Sequence, residues 1–262
     1  MPGYEHWLLT RHDHLATLTL PRPEAGNSLT LETLAELRAV TAALAADADA
    51  WVVILQGQGE HFCTGLEATI SQWIAGRPEP VYRELLGGMQ RTLDELEALE
   101  KPVIARIQGF CISYGLLLAL CCDFRVASEH SVFWMPEIKL GLGVVAGGQR
   151  IVRLAGMAAA KRIMLLGERF GAQEALSNGL LHQVVPPERL DAAVEALAGM
   201  LLRLPPRSLG MSKRLINQGC DLSLRDSQDM ELDAQAELLS SPDLHEAMAA
   251  FVEKRPGRYC GS

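Results

Sequence analysis

Several features that mark particular protein classes are absent from these 262 residues. No run of Lys or Arg interleaves with aromatic residues, which make up only 5% of the chain, and the formal net charge is −8. This composition argues against a groove that attracts nucleic acid by bulk electrostatics. It leaves room for a small phosphorylated ligand, because a few local Arg or Lys side chains can bind phosphate whatever the net charge.

Long hydrophobic segments and metal-binding patterns are also missing. No apolar run approaches the ~18 residues of a membrane span, and residues 1–10 contain no basic segment followed by an apolar one. The six cysteines are scattered without a CxxC pair, which argues against structural zinc and favours reduced thiols. We therefore expect a cytoplasmic protein without bound metal or membrane contact. Its 48% hydrophobic residues are enough for a sizeable core.

The first part of the chain alternates between predicted strands and predicted helices. Leucines at helical spacing predict helices within residues 31–44 and 85–96. Strand, helix and strand in succession predict an α/β architecture with right-handed crossovers. Short β-rich runs bounded by Gly, Pro or charged turns predict strands at 15–20, 51–56, 103–108 and 123–127.

After about residue 150 the strand signal fades and helical periodicity dominates. Ser241 followed by Pro242 is typical of an N-cap with proline in the first helical position. The step from Pro205 to Pro206 is the best candidate for a boundary. It separates a predicted core region, residues 1–204, from a predicted C-terminal helical region, residues 205–262. Helices are predicted at 172–177, 188–203, 208–218, 224–239 and 244–254.

Two glycine-containing turns follow two of the predicted strands. They read GQGEHFCTGL at 57–66 and GFCISYGL at 109–116. Where a turn opens a helix, the first N–H groups lack an intrahelical partner and can hold a developing negative charge. Two such donors from separate turns would form an oxyanion hole. Glycine after a strand is also the ordinary way to turn a corner, so these motifs alone leave both interpretations open.

A single carboxylate, Glu137, lies among apolar neighbours in the segment WMPEI. A solvated carboxylate at a strand end is the simplest interpretation. A buried carboxylate would instead have a raised pKa and could act as a base near neutral pH. The spacing alone does not place Glu137 opposite the two turns.

Five segments, taken together, resemble the successive signatures of the crotonase (enoyl-CoA hydratase/isomerase) superfamily. Each motif is loose, but they occur in the family's order and cover nearly the whole chain. The resemblance implies a crotonase-like α/β spiral of repeated β-β-α units with a C-terminal helical region, and a homotrimer or dimer of trimers. The segments are LPRPEAGNSLT (20–30), GQGEHFCTGLE (57–67), KPVIARIQGFCISYGLLLALCCDFRVAS (101–128), MPEIKLGLGV (135–144) and FVEKRPGRY (251–259).

The resemblance implies that the oxyanion donors are the backbone N–H groups of Leu66, after Gly65, and of Tyr114, before Gly115. Main-chain donors tolerate varied side chains. Ser113 and Tyr114 nevertheless stand where the family usually has glycines. We expect the tyrosine to narrow the acyl pocket or to tilt the donor.

Two positions in the family commonly carry a catalytic glutamate, and this chain has Leu117 at one of them and Glu137 at the other. Adding water to a 2-enoyl thioester benefits from two carboxylates, whereas moving a double bond needs one base that takes and returns a proton. The resemblance therefore favours an enoyl-CoA isomerase with Glu137 as the proton shuttle. Val145 replaces the acid expected of a dienoyl-CoA isomerase, which argues against that branch.

The substrate is expected to bring its own coenzyme A, with no separate cofactor. The resemblance implies contacts to coenzyme A near Arg22, Glu67 and Ala68, although Arg22 could equally be a solvated turn residue. His61 beside the first turn is interpreted as an exposed turn residue rather than a catalytic one. The predicted substrate-binding set is completed by Gly65, Gly115, Leu117 and Trp134.

Other functions remain alternatives. A serine hydrolase is suggested by CISYG, which nearly matches G-x-S-x-G, but its first glycine is missing and no Asp and His follow Ser113 at supporting spacing. A non-catalytic acyl-CoA binder would explain the lost acid at Leu117. Hydratase, thioester hydrolase and decarboxylase activities would all use the same oxyanion hole.

Overall fold

The computed structural model describes residues 3–74 and 76–261. The predicted regions 1–204 and 205–262 therefore begin and end, respectively, at residues outside the described ranges. Within the described ranges the chain has nine β-strands. They are β1 (Leu8–His12), β2 (Leu15–Leu20), β3 (Val52–Gly57), β4 (Val103–Ile107), β5 (Phe110–Ile112), β6 (Phe124–Ser128), β7 (Val132–Trp134), β8 (Arg169–Gly171) and β9 (Gln183–Val185).

The strands form two sheets. The larger sheet has the order β1-β2-β3-β4-β6-β9, in which only the β1–β2 pair is antiparallel. The smaller sheet has the order β5-β7-β8, with β5 parallel to β7 and β8 antiparallel to it. In the β5–β7 register Ile112 lies opposite Trp134, so the residues that follow these two strands emerge at the same edge of the small sheet.

Ten α-helices accompany the strands in the described residues. The first begins with a capping box, in which the Thr30 hydroxyl accepts a hydrogen bond from the Thr33 amide at 3.1 Å. The helices are α1 (Leu31–Ala46), α2 (Ala68–Ile74), α3 (Glu79–Glu97), α4 (Tyr114–Leu120), α5 (Gln149–Lys161), α6 (Ala172–Ser177), α7 (Leu190–Leu201), α8 (Pro206–Gly219), α9 (Leu224–Leu238) and α10 (Pro242–Glu253).

The large sheet is covered on both faces. Along β3, alternate side chains point to opposite faces: Val53 and Leu55 join the main core with α1 and α3, whereas Val52 and Ile54 pack against α7. A strand buried on both sides requires a continuous apolar run, which explains the sequence VVIL.

The predicted α/β architecture is confirmed, and the predicted strand and helix positions are correct to within a few residues. Strand β2 and helix α6 have the predicted bounds, and Ser241 accepts a hydrogen bond from the Asp243 amide as the N-cap of α10. Two strands after residue 150, β8 and β9, were not predicted; each is only three residues long. Among the described residues, no helix is long and apolar enough to cross a membrane. The division at residues 204 and 205 stays a prediction.

Candidate active site

The first glycine turn lies between β3 and α2 and runs beside Leu29. The Leu29 amide donates to the carbonyl of Gly65 at 2.8 Å, and the Glu67 amide donates to the carbonyl of Leu29 at 3.0 Å. In such a parallel bridge the N–H of the intervening residue, Leu66, points away from its neighbour. Within the described chain the Leu66 amide has no backbone acceptor. It is therefore available to a ligand.

The second glycine turn connects β5 to α4 through Ser113. Tyr114 is the first residue of α4, so its amide has no intrahelical acceptor, and no other backbone acceptor lies among the described residues. The Ser113 amide is held by the carbonyl of Trp134 at 2.8 Å. Both predicted oxyanion donors therefore lie on turns whose neighbouring backbone groups are fixed.

The two turns are joined to each other through Cys63. Its amide donates to the carbonyl of Phe110 at 3.1 Å, and its carbonyl accepts from the Ile112 amide at 3.0 Å. A Cβ atom on Gly65, whose φ is +93°, would lie 2.8 Å from the Cβ of Ser113. A Cβ atom on Gly115 would lie 2.6 Å from the carbonyl oxygen of Cys63. Both glycines are required by this close approach of the two turns.

The Tyr114 side chain points into the core rather than into solvent. It is 1% exposed, and its hydroxyl donates to the carbonyl of Met89 in α3 at 2.6 Å. Burial raises the pKa of this phenol, so it stays neutral. The hydrogen bond ties the start of α4 to α3, which fixes the amide beside it. The expected narrowing of the acyl pocket by this ring, or tilting of the donor, stays a prediction.

Glu137 follows β7 and opens a short 3₁₀ turn, Glu137–Leu140, that ends at Gly141 with φ 74°. The Ser113 hydroxyl donates to Oε1 of Glu137 at 2.5 Å. The other oxygen, Oε2, is buried and has no hydrogen-bond partner among the described residues. Burial raises the pKa of Glu137, while the hydrogen bonds from Ser113 and from its own backbone act in the opposite direction.

The second family position for a glutamate is fully apolar here. Leu117 lies in α4, is 2% exposed and belongs to the main hydrophobic core. It supplies no acid or base. Glu137 is thus the only acid at the two positions where the resemblance implies one.

The residues predicted to contact coenzyme A lie together beside the first turn. Arg22 donates through Nη2 to Oε1 of Glu67 at 2.9 Å and through Nη1 to the carbonyl of Ser28 at 3.1 Å. Both side chains of this ion pair keep more than a quarter of their surface exposed. Ala68 begins α2 directly after Glu67. Arg22 is therefore a paired side chain at the rim of the turn rather than a fully solvated one.

Trp134 and His61 have structural partners. The indole N–H of Trp134 donates to the carbonyl of Gly167 at 2.7 Å, and the guanidinium of Arg169 lies 4.7 Å from the ring centroid. His61 was expected to be exposed, but it is half-buried: its ring lies 4.5 Å from that of Phe110, and its Nδ1 accepts from the Phe110 amide at 3.3 Å. His61 therefore links the two turns.

Asn27 is a site residue that the sequence analysis missed. It is fully buried with φ 56°, and its side-chain amide donates to the carbonyls of Gln58 at 2.9 Å and His61 at 2.7 Å. Its Oδ1 accepts from the Arg22 amide at 3.0 Å. A buried Asn in a left-handed turn thereby fixes the first glycine turn. The available signal was the Gly-Asn pair within PEAGNS, which is typical of a left-handed turn.

Comparisons with known proteins identify the family of the chain. The family model described as enoyl-CoA hydratase/isomerase matches residues 10–261. The chain is 34% identical to a crotonyl-CoA hydratase of Syntrophomonas wolfei, covering 98% of each chain. It is 36% identical to a short-chain-enoyl-CoA hydratase of Clostridium acetobutylicum, covering 95% of each.

Solved structures give the same result for the fold. The crystal structure of an enoyl-CoA hydratase from Bacillus anthracis superimposes with a TM-score of 0.91 at 32% identity, over 98% of this chain and 100% of that one. The chain therefore has the crotonase fold, and it belongs to the enoyl-CoA hydratase/isomerase family of acyl-CoA enzymes.

Proposed function

We propose that this chain moves the double bond of an enoyl-CoA thioester, with Glu137 as its single proton shuttle. One observation carries the proposal: two main-chain amides without backbone acceptors, at Leu66 and Tyr114, lie on joined turns, and Ser113 connects the second turn to a half-buried carboxylate. Donors for an oxyanion and a nearby base are the two requirements for removing a proton next to a thioester carbonyl.

The chemistry follows from these groups. The amides of Leu66 and Tyr114 would bind the thioester oxygen and stabilise the enolate that forms when a proton leaves C2. Glu137 would take that proton from a 3-enoyl thioester and return it to C4, which yields the 2-enoyl isomer. The proton and the electron pair are both conserved, so the reaction consumes no water and needs no cofactor beyond the coenzyme A of the substrate.

The apolar environment of Leu117 favours isomerisation over hydration, because hydration benefits from a second carboxylate to orient the attacking water. Hydration is the second candidate. It is favoured by the names of the relatives from Syntrophomonas wolfei and Clostridium acetobutylicum, both of which are hydratases. Thioester hydrolysis, decarboxylation and acyl-CoA binding without turnover are the remaining outcomes that an assay can distinguish.

Substrate binding is proposed for the groups around the two turns. The Arg22–Glu67 pair and the start of α2 at Ala68 would contact coenzyme A, since the guanidinium is partly exposed and can reach a phosphate oxygen. Gly65 and Gly115 let the turns approach each other. Leu117 and Trp134 would line the acyl end of the site.

We also propose that the C-terminal helices mediate a homotrimer or a dimer of trimers. Several large apolar side chains on α9 and α10 are exposed in the single chain, and exposed apolar patches mark association surfaces. Analytical ultracentrifugation should then give a trimer or hexamer, and a monomer at micromolar concentration would contradict the assignment. These side chains include Leu224 (77% exposed), Leu232 (70%), Phe251 (83%) and Val252 (75%).

The direct test is a panel of thioesters that includes 2-enoyl-, 3-enoyl- and malonyl-type CoA, followed by mass spectrometry and by proton NMR in heavy water. Isomerisation predicts conversion of 3-enoyl to 2-enoyl-CoA without a change of mass in ordinary water. In heavy water, deuterium should enter at C2 or C4. A product 18 mass units heavier would instead indicate hydration, and free coenzyme A would indicate hydrolysis. Binding of every thioester without conversion would leave only the acyl-CoA binder.

A further inference from the structure

Ser113 has a backbone conformation that side chains rarely adopt. Its φ is 56° and its ψ is −127°, and it is one of four described non-glycine residues with positive φ. Glycine is the default residue for such a turn, because it has no Cβ to clash with its own backbone. A serine in this conformation indicates that its side chain has a use at this position.

The hydroxyl of Ser113 contacts the carboxylate of Glu137. Its Oγ lies 2.5 Å from Oε1, and the Ser113 amide donates to the carbonyl of Trp134, three residues before Glu137. Strands β5 and β7 pair shortly before the two residues: β5 ends at Ile112, next to Ser113, and β7 ends at Trp134. Backbone and side chain therefore both hold Ser113 against the segment that carries Glu137.

The two oxygens of the carboxylate have different surroundings. Oε2 is buried and has no hydrogen-bond partner among the described residues, whereas Oε1 accepts from Ser113. An enclosed oxygen without a donor disfavours the negative charge. Ser113 is thus the side chain that compensates for this burial, and Oε1 is the oxygen that remains connected to a polar neighbour.

Charged groups on the surrounding elements do not replace this hydroxyl. Lys139, on the same turn, and Arg169, on β8, both lie over the ring of Trp134. Arg162, on the helical turn that packs against this segment, pairs with Glu174 at 2.6 Å. None of these cations forms an ion pair with Glu137 in the described part of the chain.

We propose that Ser113 is a positioning residue for Glu137: its hydroxyl holds Oε1 against the turn that carries Tyr114 and favours the ionised carboxylate that takes the substrate proton. The inference rests on the proposed function, because it assigns Oε1 as the oxygen that exchanges the proton. It also explains how one carboxylate serves without the second glutamate: the neighbouring hydroxyl, rather than another acid, holds it in place.

The proposal predicts a pH effect with a definite sign. A hydrogen bond donated to a carboxylate stabilises its charged form and lowers its pKa, in opposition to burial. Loss of the hydroxyl should therefore raise the pKa of Glu137. Because the base works only when ionised, the acidic limb of the kcat/KM profile should move to higher pH.

Two variants separate the hydroxyl from the backbone. Ser113→Gly and Ser113→Ala both remove the hydroxyl, but only glycine adopts positive φ easily. We expect both to lose roughly tenfold in kcat/KM at neutral pH, as for a lost hydrogen bond to a charged group. Both should show the displaced acidic limb, even where the glycine variant is the more stable in thermal unfolding. Wild-type activity and pH profile in Ser113→Gly, with damage in Ser113→Ala alone, would indicate a backbone role and overturn the proposal.

Intact-protein mass spectrometry and the choice of controls complete the test. After incubation with a 3-enoyl thioester, we expect wild-type protein of unchanged mass. An acyl adduct on Ser113 would make it a nucleophile and overturn the positioning role. Failure of the proposed function looks different, because the wild type would then not isomerise a 3-enoyl thioester, or Glu137→Gln would keep its activity. Glu137-dependent turnover with unaltered pH profiles in both Ser113 variants would overturn only the inference about Ser113.

Discussion

Two regions meet at Ser113 and Tyr114, and they differ in exposure to solvent. Helix α4 follows the Tyr114 amide and is buried along its whole length, including Leu117. The turn after β7 is mostly exposed, but it carries the half-buried Glu137, whose Oε1 accepts from Ser113. The sheet register brings this turn to the second glycine turn, whereas α4 joins the hydrophobic core.

This difference bears on the two functions proposed for the site, oxyanion binding and proton transfer, which would be carried by different elements of the fold. The proposed oxyanion donors are main-chain groups, so α4 can be entirely apolar and still present the Tyr114 amide. Proton transfer requires a side chain, and the turn after β7 carries Glu137, the carboxylate proposed for this role. The following changes test the contrast between an apolar α4 and a polar β7 turn, in order of decreasing expected effect.

Glu137→Gln removes the carboxylate from the turn after β7 and should have the largest effect on turnover. The amide keeps the size of the side chain and can still accept from Ser113, but it is not basic. We expect turnover to fall by roughly 10²–10⁴-fold, the usual contribution of a positioned general base. Deuterium exchange at the α-carbon, followed by NMR in heavy water, should disappear with it.

The same variant should fold at least as well as the wild type. Burial raises the pKa of Glu137 in the folded state above its value in the unfolded chain, so this group destabilises the fold progressively as the pH rises from the unfolded to the folded pKa, and the loss is complete above the folded pKa. Removing this charge should leave the melting temperature at pH 7 unchanged or higher. Glu188→Gln, at an exposed position, serves as the matched control for charge and should keep full activity. Near wild-type exchange in Glu137→Gln would require a different base, with Glu67 and His61 the next candidates.

Substitution of the turn glycines tests the backbone shared by both regions. Gly65→Val and Gly115→Val each place a side chain within 3 Å of the opposite turn, so the two amides should move apart. We expect turnover to fall about 10²–10³-fold, as for the loss of one oxyanion donor. Tyr114→Phe keeps the amide and loses only the hydrogen bond to Met89, so it should lose far less.

Circular dichroism and thermal unfolding must accompany these assays, since valine at φ +93° in Gly65→Val is itself strained. A folded Gly65→Val or Gly115→Val protein with the activity of Tyr114→Phe would argue against main-chain donors.

The sequence predicts much of the fold because its long elements have clear periodicity. Strand β2 and helix α6 appear at their predicted bounds, and β3 is displaced by a single residue. The three-residue strands β5, β7 and β8 were not predicted, since three residues cannot establish an alternating pattern. Their pairing is a long-range property of the folded chain. The pairing of β5 with β7 nevertheless brings Ser113 and Glu137 together.

The sequence therefore singled out candidate residues, but it could not give the contacts between them. Family resemblance singles out Leu66, Tyr114 and Glu137 from local motifs. The contact between Ser113 and Glu137 spans 24 residues and depends on the β5–β7 register. The positive φ of Ser113 could not be predicted either, because serine rarely adopts the conformation for which glycine is the usual residue. Only the folded chain makes this serine a partner of the carboxylate.

The rate of hydration tests the consequence of an apolar residue, Leu117, on α4. With Leu117 in place of a second acid, we expect the wild type to hydrate crotonyl-CoA well below ordinary enzyme turnover of about 1–1,000 s⁻¹. Leu117→Glu would place an acid on α4 and should raise the hydration rate, although burying the new carboxylate should lower the melting temperature. Leu117→Gln controls for size and polarity without the acid. Fast hydration by the wild type, measured by loss of enoyl absorbance, would contradict the single-base model.

Arg22→Ala tests a group outside both regions and should have the smallest effect. The guanidinium lies at the rim of the first turn, paired with Glu67 at 2.9 Å and more than a quarter exposed. An exposed cation that contacts a phosphate contributes little to binding, so KM for a CoA thioester should rise about two- to fivefold. The proposed contact with coenzyme A would be the same before and during proton transfer, so kcat should not change.

Arg38→Ala provides the matched control for the Arg22 variant. Arg38 also pairs with a glutamate, Glu95 at 2.6 Å, but lies on α1 away from the turns, so its loss should leave KM unaltered. Glu67→Gln gives the opposite change from Arg22→Ala, because it frees the guanidinium for phosphate and should lower KM at low salt. If Arg22→Ala instead reduces kcat with KM constant, Arg22 acts by holding the segment beside the first glycine turn through its hydrogen bond to the carbonyl of Ser28. Coenzyme A recognition would then have to come from other residues.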